Sequence, residues 1–145
     1  MQRRDPARLQ RLLRVRAFQL DQARAEEVAA IDRQSSAHAL ARRIETLSEA
    51  VAPREGTAAG INLFAAAHYR HRLAQSQQEA QRRIAAATEQ LDAARAQTGA
   101  AKRNHGAIEK LIARELDAQT IDARRALENA PHPARALAHS LLKSG

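Results

Sequence analysis

The chain has no cysteine and no tryptophan, and its aromatic side chains number only three, Phe18, Phe64 and Tyr69. Without cysteine there is neither a disulfide framework nor a thiolate metal site, and the redox compartment stays open. Without aromatics, a compact core lacks the side chains that usually supply much of its buried area, which argues against an ordinary globular domain. Long apolar runs are missing as well. No segment is apolar enough over enough length to span a bilayer, and the Arg-rich start is not followed by the apolar stretch of a secretory signal. The expectation is a soluble, cytoplasmic protein, at most peripheral at the inner face of a membrane.

What is present favours helices. Ala, Arg, Gln, Glu and Leu dominate the 145 residues, and all are good helix formers. Asp5-Pro6 provides an N-cap followed by proline at the first helical position. Leu9, Leu13, Ala17 and Leu20, then Leu40, Ile44, Leu47 and Val51, step by three or four residues. Between them the stripe drifts through Ala23, Val28 and Ile31. Helix one is expected over residues 6–52. Pro53, Gly56 and Gly60 break it over 53–60, and helix two is expected over 61–129, ending before Pro131 and Pro133. A tail, 130–145, has room for a short helix from Ala134 to Lys143.

Helix two carries a regular stripe: Leu73, Gln77, Ala80, Ile84, Ala87, Leu91, Ala94, Thr98, Ala101, His105, Ile108 and Ile112. Alternating four- and three-residue steps average 3.5, so the stripe stays on one face only if the helix winds around another. The fold class is therefore all-α, two long helices in an antiparallel coiled-coil hairpin treated as one domain. Folding about Glu55–Thr57 gives facing residues whose numbers add to about 113–115. Ile31 then meets Ile84, Leu20 meets Ala94, and helix two beyond about Ile108 lacks a partner in helix one. Gly99 and Gly106 within helix two each cost roughly 0.5–1 kcal/mol relative to alanine; they read first as tolerant surface positions, and otherwise as a bend or a close approach.

Chemistry is sparse. His68 and His71 share a helical face, but arginines surround them and a zinc site needs three or four convergent ligands. No Ser-His-Asp arrangement and no phosphate loop is present, and a thin hairpin offers no cleft to desolvate a reaction. No catalytic residue, metal site or cofactor is assigned. Surfaces remain. The formal charge is +8, and Arg3, Arg4, Arg8, Arg11, Arg14 and Arg16 against Asp5 make the first sixteen residues +5. Phe64, His68, Tyr69 and Arg72 form a second candidate, since aromatics and arginine are enriched at interfaces; the alternative is that Phe64 and Tyr69 cover the end of the thin core. Leu111, Ile112, Leu116, Ala123 and Leu127, on the expected overhang, form a third.

Three stretches together resemble the FliJ family of flagellar export proteins. These are Leu9-Gln10-Arg11-Leu12-Leu13-Arg14-Val15-Arg16 followed by Asp21-Gln22-Ala23-Arg24, then Tyr69-Arg70-His71-Arg72-Leu73, and Lys102 through Ile108-Glu109-Lys110-Leu111. The likeness spans residues 7–128. The tail with Pro131 and Pro133 departs from the family's charged ending. The resemblance implies a non-enzymatic part of the type III secretion machinery that docks with the export ATPase ring, the membrane export gate and substrate chaperones. It places the ATPase contact at Arg3, Arg4, Arg8, Arg11 and Arg14 beside the distal end of helix two, with Leu116 there. The gate or chaperone contact falls at Phe64, His68, Tyr69 and Arg72. Against it stand a nucleic-acid-binding coiled coil, suggested by the charge, and a membrane-surface amphipathic protein.

Overall fold

The computed structural model describes residues 4–51 and 60–131, with side chains in the second stretch from 63 onward. It contains two helices, α1 (Pro6–Ala50) and α2 (Gly60–Asn129), which pack against each other as an all-α hairpin. The expected turn, Arg3 and the expected tail helix lie outside the described residues. Asp5 caps α1: its Oδ1 accepts from the Ala7 amide at 3.1 Å, and its carbonyl accepts the first helical bond from Leu9 at 3.1 Å. Losing such a cap costs about 1 kcal/mol. Asp5→Ala should lower unfolding stability by that amount in urea titrations, and Asp5→Asn should not.

The chain divides into two compact units, one formed by residues 17–103 and one by Met1–Arg16 with Asn104–Gly145. Within residues 17–103, four cross-helix contacts fix the pairing as antiparallel. Thr98 Oγ1 donates to the Ala23 carbonyl at 3.2 Å, and Gln34 Nε2 donates to Thr88 Oγ1 at 3.1 Å. Arg33 Nη1 donates to Gln90 Oε1 at 3.2 Å, and Arg95 Nε lies 3.9 Å from Glu27 Oε1. The numbers of these pairs add to 121–123, not to the expected 113–115. α2 is displaced by about one heptad from the position that a fold about Glu55–Thr57 implies.

A heptad slip preserves an apolar stripe, so apolar matching alone leaves the register open. The polar seam residues close it. In the expected register Glu27 and Gln34 would face Ala87 and Ala80 and lose their partners, leaving polar groups desolvated without compensation.

The face that α1 turns inward also differs from expectation. Leu20, Ala23, Glu27, Ala30, Gln34, Ala37, Ala41, Ile44, Ser48 and Val51, spaced alternately by three and four, are all buried or half-buried. Val28, Ile31, Leu40 and Leu47, which the sequence reading placed on the stripe, are exposed. On α2 the expected stripe holds from Leu73 to Ala101, with every member buried or half-buried. Small residues at seven-residue intervals, Ala23, Ala30 and Ala37 on one helix and Ala80, Ala87, Ala94 and Ala101 on the other, let the backbones come close. The Thr98 hydroxyl shows this closeness directly, since it reaches a main-chain carbonyl of the opposite helix.

In the other unit, Leu9 and Ile108 are buried, and the half-buried face of α2 continues through Ile112, Glu115, Gln119 and Asp122. Burial therefore does not stop at Ile108 as expected. Leu116, Ile121 and Leu127 are exposed. α2 runs through both internal glycines without a break. A Cβ at Gly99 would meet only Arg103 Nη1 at an ordinary 3.5 Å, and one at Gly106 would meet nothing within 4 Å. Neither glycine answers to a close approach among the described residues.

Candidate docking surfaces

α1 begins with its charge facing outward. Arg4, Arg8 and Arg11 recur at helical spacing with Arg14 beside them; all four are exposed. None pairs with an acid among the described residues. Later in the chain some arginines are engaged: Arg33 with Glu26 at 2.9 Å, and Arg83 and Arg82 with Glu79 at 3.6 and 4.0 Å. The amino-terminal guanidinium groups thus stay available to an acidic partner. Leu116 belongs to the same unit and is 57% exposed.

The four residues expected to form a patch near the turn do not all reach one site. Phe64 is 83% exposed, so it does not cover the end of the core, and His68 and Tyr69 are exposed on the same helix. Arg72 alone of the four lines an open groove of about 630 Å³ between the helices. Leu40, Ile44 and Leu47 of α1 and Leu73 and Ala80 of α2 supply the groove's apolar lining, and Arg72, Glu79 and Arg83 its charges.

Sequence reasoning missed this groove because it counted Leu40 and Leu47 as seam residues. They sit one position before Ala41 and Ser48, the true seam members, and their half-exposed side chains form a shoulder along the interface. The seven-residue alanine repeat beginning at Ala23 is the signal that would have separated the two sets.

Among the described residues no group of three or more His, Cys, Asp or Glu side chains is placed to hold a metal ion. His105, on the seam, meets Glu109 through Nδ1 and Oε1 at 2.9 Å one helical turn away, a pair within one helix. Among the described residues no helix is long and apolar enough to cross a membrane. Comparison of the chain with protein-family models, with curated proteins and with solved structures finds no match in any of the three.

Proposed function

We propose that this chain is a non-enzymatic component of the flagellar protein export apparatus, a stalk-like adaptor working in the cytoplasm beside the inner membrane. The observation that carries the reading is the set of exposed, unpaired arginines Arg4, Arg8, Arg11 and Arg14 on an all-α hairpin whose sequence resembles that family over residues 7–128. In this reading the arginines, with Arg3 preceding them, and Leu116 dock on the export ATPase ring. Arg72 and the groove lined by Leu40 and Leu47 meet the export gate or a substrate chaperone, with Phe64, His68 and Tyr69 farther along the same helix.

Binding to the export ATPase of the same organism tests this. Arg8→Glu/Arg11→Glu and Leu116→Asp should each weaken the complex by about tenfold or more, with circular dichroism unchanged because all three positions are exposed. Absence of any complex with the wild-type chain would remove the proposal. A second reading rests on the +8 charge. If the chain instead shifts duplex DNA or RNA in gels at moderate salt, with steep salt dependence, the arginines serve a nucleic acid.

A further inference from the structure

α2 carries a second stripe that the hairpin does not use. Ala113, Leu116, Thr120, Ala123 and Leu127 step by three and four residues along one face, and all are exposed, Leu116 at 57% and Leu127 at 78%. The half-buried stripe through Ile112, Glu115, Gln119 and Asp122 lies beside it. Spacing of this kind on a solvent-facing helix is that of a coiled-coil seam with its partner missing.

We infer that this stripe pairs antiparallel with the same stripe of a second copy of the chain. Three features select that occupant. First, the surroundings are balanced in charge: residues 104–131 contain the acids Glu109, Glu115, Asp117, Asp122 and Glu128 against the bases Lys110, Arg114, Arg124 and Arg125. The amino-terminal face attracts acidic partners, but this stretch attracts neither sign strongly.

Second, the stripe is complementary to itself. Setting Leu116 against Leu127 of the second copy puts Thr120 against Ala123, and the two-fold axis repeats both layers. Bulky residues then close the ends while small ones let the middle approach. Third, the charged edge follows the same register. Asp117 and Arg124, one heptad apart on the flank, are exposed and form no ion pair with a described residue. The pairing that matches the leucines brings Asp117 of each copy to Arg124 of the other, giving two symmetric bridges as an isologous contact requires.

The contact spans about 21 Å of helix, some fourteen residues at a rise of 1.5 Å. It is smaller than a standard stable interface, so the dimer is weak and appears with rising protein concentration. The pairing is measured on the purified chain alone and does not depend on the export reading; because Leu116 would serve the ring or the second copy one at a time, the Arg8→Glu/Arg11→Glu arm of the ATPase-binding assay, which leaves the stripe intact, keeps the two outcomes apart.

Sedimentation equilibrium of the full chain from roughly 10 to 300 µM should show a monomer passing to a dimer. Leu116→Glu and Leu127→Glu should each abolish the dimer. Asp117→Arg and Arg124→Asp should each raise the dissociation constant about tenfold, and the double variant Asp117→Arg/Arg124→Asp should restore it. A monomer throughout the range, a dimer indifferent to the leucine substitutions, or a double variant that stays as weak as its parents would each overturn the inference. Circular dichroism of every variant checks that the helices persist.

Discussion

Truncating Leu91 to alanine should lower the unfolding free energy by about 2–4 kcal/mol, the range for a buried leucine whose cavity cannot close. Leu91 is 2% exposed and packs in the core cluster with Ala30 and Ala94. Those neighbours have only a methyl group each, so they cannot reach into the space that the leucine leaves. The backbones are already close, and the flanking layers hold them there. A typical domain is stable by about 5–15 kcal/mol, so one such loss is a large share. Val28→Ala should be neutral or slightly stabilising, because Val28 is exposed and alanine is the better helix former. Urea unfolding followed at 222 nm compares the two. Equal losses would mean that α1 turns inward the face that its branched residues suggest, not the face of its alanines.

That contrast marks the boundary of what the sequence reveals. Helix existence and type were readable, since Asp5-Pro6 starts α1 and Pro53 and Pro131 lie just beyond the ends of the two helices. The stripe of α2 was readable too, because Leu73, Ile84, Leu91 and Ile108 mark it often enough for the alanines between them to be assigned. On α1 the markers misled. Between Leu20 and Ile44 the true seam is Ala23, Glu27, Ala30, Gln34, Ala37 and Ala41, six residues without one large aliphatic, while Val28, Ile31 and Leu40 stand outside it. An alanine seam is selected by how closely backbones approach, and hydrophobicity registers that weakly.

The surfaces divide along similar lines. Exposure of Arg4, Arg8, Arg11 and Arg14 follows from their charge and spacing and needed no tertiary information. The groove beside Leu40 and Leu47 did need it, because a residue is a shoulder or a seam member according to the partner helix's rotation. Phe64 needed it too, since composition leaves a docking aromatic and a core cap equally open; the displaced register leaves the opening of α2 past the end of α1's pairing stripe, with Phe64 in solvent.

The register itself predicts the largest effect. A cysteine pair at Ala23 and Thr98 should form a disulfide readily under mild oxidation, in a chain that has no other thiol to compete. The Thr98 hydroxyl lies 3.2 Å from the Ala23 carbonyl oxygen, which sets residue 98 against residue 23 across the seam, and a disulfide forms only between positions this close. The crosslink joins residues 75 apart, and closing a loop of that length in the unfolded chain corresponds to about 4 kcal/mol on the chain-entropy model. A pair at Leu20 and Ala94, the neighbours implied by folding about Glu55–Thr57, should remain reduced in the monomer. Mass spectrometry and thiol titration of both double variants at low protein concentration separate the two registers, and thermal melting of the oxidised Ala23→Cys/Thr98→Cys chain against its reduced form reads the stabilisation. Efficient crosslinking of the Leu20 and Ala94 pair in place of the Ala23 and Thr98 pair would return the hairpin to the one-heptad-shifted register. It would also remove the physical account of why Glu27, Gln34 and Thr98 occupy a seam otherwise built from alanine and leucine.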